Sequence, residues 1–433
     1  MSENPISLAV RTRELNGLGH RLREITRRYG LTTYLIDRSL FQFFELLKQF
    51  DCPATLPITA LPFSRNHQKA TKYRSTNIEL AVHGYTHIDY SQSNNGTIGR
   101  HLQAALKIFT QEGISPTGFR SPYLSRSDKL YSALAGAGFC YVSNQPFLWE
   151  GIDLGTHSPA QHASYARALS YYNPWKSGER LSLPRQMNGL VEIPVTLPDD
   201  EILVDRLGGS SGLATRVWLN VLSQSYQRGE LFTLQLHPER TALCADSLAA
   251  VLAEARQRKP GVWCARLDEV AAWWNARSQA NLIISNQGNG DYNCLVNGPE
   301  NLTVLVRGVM TDVPSSAWMN GYRVVKEKQF HLRSPLRPLI GVPLSSPSRL
   351  ITFLQHQGFA VELSPDRELY GCYIDDEDFV DTDERRIMEI IDSSNCQIVR
   401  LGFWPNGYAS SMCVTGDIDA FTLWDFGMRI LGR

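Results

Sequence analysis

The sequence predicts an α/β fold, with a mostly parallel sheet curled into a barrel and covered by helices, and three observations carry that reading. Short apolar runs alternate with segments of helical spacing through the first 280 residues, the pattern of strands joined by crossover helices. Polar residues able to do chemistry fall repeatedly at the C-terminal ends of those runs, the end at which barrel enzymes gather their side chains. The 433 residues, 43% of them hydrophobic, can bury a large core, and their number points to two domains.

Taken in order, residues 15–28 place apolar positions at helical spacing, and Tyr29-Gly30 ends that segment. A second helix is predicted over about 33–50, with Leu35, Ile36, Leu40, Phe43, Phe44 and Leu47 on its apolar side; Asp51-Cys-Pro53 breaks it before a strand at 54–58. The alternation continues with strands at 78–82, 116–119, 139–143, 190–195, 231–236 and 261–265, and helices at about 97–112, 127–138, 212–228, 245–258 and 267–277. After Ser278 the character changes to short apolar runs between Asn/Gly-rich turns. From about 348 to 401 it becomes α/β again, so 281–403 is expected to be a second, smaller α/β domain. Within it the acidic stretch from Asp375 to Glu384 can be read as a calcium loop. The preferred account is a solvated connection whose Asp381 and Glu384 form a capping box for the next helix.

Lys+Arg and Asp+Glu balance at 43 each, so no strong net field directs the chain to nucleic acid or an anionic membrane. A neutral substrate, or one recognised locally, fits that balance, and association into homo-oligomers stays open. The first residues lack a basic segment followed by an apolar core, and no run of about 18 apolar residues occurs. No membrane span and a cytoplasmic location are therefore expected. The eight cysteines are scattered with no pair at two-residue spacing, which argues against a zinc knuckle or a disulfide framework.

The polar motifs are His83-Gly-Tyr-Thr-His87 after the run at 78–82, Arg120-Ser-Pro-Tyr123 after Thr117-Gly-Phe119, Glu192 within the run at 190–195, and His237-Pro238 after the run at 231–236. Two imidazoles four apart can close on one metal ion; the plainer reading is two satisfied side chains. Near the carboxyl end, Asp417 and Asp419 stand two apart in Val414-Thr-Gly-Asp-Ile-Asp419; the plain reading there is an acidic turn.

Together, His83-Gly-Tyr-Thr-His87, Gly118-Phe-Arg-Ser-Pro-Tyr123 and Leu234-Gln-Leu-His-Pro238 resemble the polysaccharide deacetylase family, also called the NodB homology domain. The resemblance implies a distorted (β/α)7 barrel that hydrolyses N-acetyl groups of amino sugars, in a small-molecule or oligosaccharide substrate, with a divalent metal, often zinc. The family's opening motif is missing from the amino end and is matched by Trp404 to Ala420, with 412–414 as its strand. The resemblance therefore implies a circular permutation. Residues 1–280 would hold motifs two to five, 281–403 would be inserted, and 404–433 would complete the barrel by entering between the strands at 54–58 and 261–265. By the same resemblance, His83, His87 and Asp419 would bind the metal, Asp417 would be the general base, His237 the acid, and Arg120 would orient the base. Pro122 and Tyr123 would shape the substrate and oxyanion side, together with Glu192. This chain has Tyr141-Val-Ser-Asn-Gln145 where the family places its fourth-motif aspartate, and Glu192, Asp199 and Asp200 are the candidates to replace it. Two other functions fit less well: an amidase of the same superfamily acting on a non-sugar or cyclic amide, and a catalytically inactive carbohydrate-binding homologue.

Overall fold

Apolar runs bounded by Gly, Pro and Asn form the main sheet of the structure, a computed structural model that describes residues 25–26, 28–72, 74, 77–209 and 211–430. The helix expected over 15–28 lies, except for residues 25, 26 and 28, outside the described residues. The sheet contains β1 (Ala54–Ile58), β2 (Ile78–Val82), β3 (Gly118–Phe119), β4 (Tyr141–Val142), β5 (Arg185–Met187), β6 (Leu190–Glu192), β7 (Leu231–Leu236), β8 (Val262–Cys264) and β9 (Ser410–Gly416). Its order is β7-β9-β1-β2-β3-β4-β6-β5, with β8 also paired to β9. Every pairing is parallel except β5 with β6. Every residue of β1, β7 and β9 is buried, as parallel strands covered on both faces require. The sheet curls as a half-barrel whose hydrogen-bonded path stays open at β7 and β5.

The last strand in sequence lies inside this sheet. β9 pairs with β7 from Leu231↔Ser411 to Leu236↔Gly416 on one side. Its other side is shared: β8 takes Ser410 to Met412, and β1 takes Val414 and Thr415. The expected position, between 54–58 and 261–265, is thus corrected to one between β1 and β7. The reason is length, since β8 has only three residues and covers just the first half of β9.

Helices cover the sheet through regular apolar stripes. Tyr34–Gln49 buries Ile36, Leu40, Phe43 and Leu47, and Asn95–Gln111 buries Ile98, Leu102, Ala105 and Phe109. Two helices were not expected. Ala60–Thr71 carries Pro62 near its start and a non-helical Asn66, and Pro159–Tyr172 fully buries only Ala168, so neither presents a readable stripe. Gly118 is required by packing, because a Cβ there would sit 1.9 Å from the Tyr141 ring. The Tyr141 hydroxyl donates to Glu79, 2.7 Å away.

Residues 281–403 add three more sheets: two antiparallel ones of four strands and a parallel one of three. Indole and guanidinium groups tie this span to the main sheet's helices. Trp273 Nε1 donates to the Phe403 carbonyl, and Arg277 to those of Gly402 and His356. The capping box expected between Asp381 and Glu384 is not formed. Asp383 accepts from the Val380 N–H instead, and Glu384 is turned inward onto Arg185, 2.8 Å away, and the Leu181 N–H. A buried carboxylate facing a guanidinium is better satisfied there than at a helix start.

Candidate active site

β2 delivers His83 from its C-terminal end, and Gly84, in the left-handed region at φ 79°, turns the chain back so that His87 returns to the same side. The Tyr90 hydroxyl secures this turn by accepting from the Tyr85 N–H at 2.9 Å. Both imidazoles are buried, with ring centroids 5.2 Å apart. Beyond β9, Asp419 meets them: its Oδ1 lies 3.3 Å from Nε2 of His83 and 3.3 Å from Nε2 of His87.

Partners outside the cluster orient its rings. His83 Nδ1 lies 2.9 Å from the Arg120 carbonyl, which can only accept, so Nδ1 carries a proton and Nε2 faces Asp419. Burial, with the Arg429 cation beside it, pushes the His87 imidazole down to about 3, which leaves it neutral. Burial acts to raise the Asp419 carboxyl, yet the Arg429 guanidinium holds it well below the usual carboxylate range. Asp419 Oδ1 is buried and has no hydrogen-bond donor. Two imidazole nitrogens and a carboxylate oxygen that converge within 4.8 Å of one another could hold a divalent metal ion.

Asp417, two residues earlier, takes a different set of partners. Its Oδ1 accepts from Arg120 Nη1 at 2.8 Å and its Oδ2 from Gln235 Nε2 at 2.9 Å. Arg120 is fully buried and also donates to Thr415 Oγ1, the Ser143 carbonyl and Ser143 Oγ. Thr415 and Asp417 alternate along extended backbone, which is why one guanidinium reaches both.

β7 ends in His237, whose Nδ1 donates to Asp200 Oδ1 at 2.8 Å while its backbone N–H donates to Asp200 Oδ2 at 2.9 Å. Burial opposes the imidazolium, but the Asp200 carboxylate outweighs it and pushes His237 up to about 10. Asp199 is pushed up to about 6, by burial first and then by its neighbour's charge. Asp199, Asp200 and His237 also form a group with metal-ligand spacing. Here, however, the carboxylate of Asp200 is already satisfied by two N–H donors, with Arg240 Nη1 a further 3.6 Å away.

Of the remaining expected residues, Tyr123 packs its ring on His87 with centroids 4.6 Å apart, in a left-handed backbone conformation at φ 59° that follows buried Pro122. Glu192 does not join the group. Its carboxylate accepts from the Tyr131 hydroxyl and from the backbone N–H groups of Asn144 and Gln145, and burial pushes it up to about 7. The fourth-motif alternatives therefore separate: Asp200 holds His237, Asp199 accepts from the Ile202 N–H, and Glu192 takes the 144–145 amides, while Arg120 bonds instead to Ser143, Thr415 and Asp417. Sequence reasoning missed Gln235 and Arg429. Gln235 lies two residues before His237 and so on the same face of β7, a signal that was readable; Arg429, ten residues after Asp419, has no such spacing.

Comparison with known proteins agrees with these motifs. Residues 37–142 match the family model described as polysaccharide deacetylase. Among solved structures, the chain is similar to a putative polysaccharide deacetylase from Mycobacterium smegmatis at 19% identity and TM-score 0.44, covering 56% of this chain and 77% of that one. A probable polysaccharide deacetylase from Pseudomonas aeruginosa PAO1 gives 18% identity and TM-score 0.44, covering 56% and 73%. Puue allantoinase gives 18% and 0.43, covering 55% and 72%. No curated protein matches the chain. Over residues 37–142, the segment that contributes His83, His87 and Arg120, this chain is similar to the polysaccharide deacetylase family model.

Proposed function

We propose that this protein is a metal-dependent hydrolase that removes an N-acetyl or related acyl group from an amino sugar or similar amide. The observation that carries the reading is the convergence of His83 Nε2, His87 Nε2 and Asp419 Oδ1 in a buried site where Oδ1 has no donor. These three residues would hold the ion, zinc by its preference for such a donor set. A divalent ion bound there would lower the pKa of water to about 7 and polarise an amide carbonyl.

The chain's own groups supply the proton transfers. Asp417 is the base that takes a proton from the attacking water, and Arg120 and Gln235 fix its two oxygens. His237 gives a proton to the departing nitrogen, and Asp200 keeps it charged and oriented. Tyr123 borders the metal ligands on the side of His87, and Pro122 precedes it in the same buried turn.

We also propose that the chain is a circularly permuted (β/α)7 barrel, with 1–280 and 404–433 forming the catalytic unit and 281–403 an accessory domain. The position of β9 between β1 and β7, bearing Asp417 and Asp419 beyond its end, supports that order. Metal analysis of the purified protein, followed by acetate release from a panel of acetylated amino sugars and cyclic amides, tests the proposal. Stoichiometric metal with acetate release supports it. Metal with turnover only of cyclic amides moves the substrate class, and metal-free protein without turnover defeats it.

A further inference from the structure

The carboxylate of Asp419 is engaged on both oxygens, and by different partners. Oδ1 faces the two imidazoles, while Oδ2 accepts from Arg429 Nη1 in the helix Leu423–Ile430. Arg429 is itself confined: its guanidinium carbon lies 5.6 Å from the Tyr123 ring centroid and 5.4 Å from that of Phe426, and its side chain is 18% exposed. Tyr123 in turn packs on His87. A closed chain of contacts thus runs from one imidazole through Tyr123 and Arg429 to the carboxylate.

A carboxylate beside a divalent cation can offer one oxygen or two, and the second occupies a position that a hydrolytic site keeps for water or substrate. A charge-assisted hydrogen bond to the second oxygen removes that option. We infer that Arg429 is a positioning residue that limits Asp419 to one ligating oxygen and so keeps a coordination position open. The inference rests on the reading of His83, His87 and Asp419 as a metal site. It differs from simple charge compensation, because a bound cation would itself neutralise Asp419 and leave Arg429 dispensable.

Cobalt(II) reports coordination number directly, since low-coordinate cobalt absorbs visible light far more strongly than six-coordinate cobalt. The full-length wild type, Arg429→Met and the double variant Arg429→Met with Asp419→Asn are loaded with excess cobalt, their visible spectra are recorded, and folding is checked by circular dichroism. The wild type is expected to show an intense band. The band should weaken several-fold in Arg429→Met, as the released Oδ2 joins the metal. In the double variant it should recover, because the asparagine amide nitrogen is a poor ligand. Arg429→Gln is measured in parallel: its shorter side chain cannot span to Oδ2, so it should weaken the band even if the methionine variant fails to fold. An unchanged band in the folded variants overturns the inference while leaving the metal site standing. Wild-type protein that takes up no cobalt overturns the metal reading and this inference with it.

Discussion

Arg120 and Asp417 stand 297 residues apart in the chain, and Nη1 of one lies 2.8 Å from Oδ1 of the other. The contact joins the end of β3 to the end of β9, so the proposed base is held by a residue from the opposite end of the sequence. Asp417 should therefore be separable from the metal ligands. Asp417→Asn should retain its metal and lose about 10²–10⁴-fold in rate, the range for a missing general base. Paired metal analysis and turnover measurements check this, and wild-type turnover removes Asp417 from the mechanism.

The same contact has a stability side. Arg120→Met leaves the Asp417 carboxylate and the Ser143 carbonyl without their buried donor, which should cost about 3–5 kcal/mol. A urea midpoint close to that of wild type would mean that the pair is far weaker than its geometry implies.

His83→Ala, His87→Ala and Asp419→Ala should each lower metal content and abolish hydrolysis, since an open site with three protein ligands does not tolerate losing one. Full occupancy in the Asp419 variant would count against the assignment of the C-terminal segment to the site.

Asp200→Asn should move the alkaline limit of activity. His237 must be protonated to act as an acid, so activity falls as pH rises through its pKa, which Asp200 raises to about 10. Without that carboxylate the fall should begin at lower pH, and a pH–rate profile of the two proteins reads the difference. Coincident profiles would show that His237 is not the acid.

Glu192 gives a pH dependence of stability with the opposite role for charge. Its folded value of about 7 lies above its ordinary 4.5, so the native state keeps a proton that the unfolded chain releases. The resulting stabilisation is fully present below pH 4.5 and is lost as pH rises to about 7, amounting to about 3 kcal/mol. Glu192→Gln should flatten that interval in urea titrations; a wild-type slope there would assign the dependence to other groups.

Much of the fold was legible because it rests on local patterns. β1, β2 and β7 follow their apolar runs to the residue, and the stripe from Ile36 to Leu47 marks its helix. The histidine pair and the Asp417/Asp419 spacing were legible because both lie beside such runs. What stayed hidden depends on partners distant in sequence. Glu192 reads as a free carboxylate at a strand end until Tyr131 and the 144–145 amides are seen to occupy it. Arg429 reads as a basic residue late in a helix, as many helices have, and only the fold brings it onto Asp419. β8 could not be told from a full-length neighbour of β9 because pairing register is not encoded in a three-residue run.

The place of β9 between β1 and β7 also bears on synthesis. A ribosome makes both neighbours of that strand long before the strand itself, so the growing chain carries an unfilled slot in its sheet through residues 281–403. No chain arrested before Asp419 can assemble the proposed site. Under the proposed function, competence would come only as the last strand of the sheet is made, and a product cut short before β9 would be left with unpaired strand edges and an incomplete site.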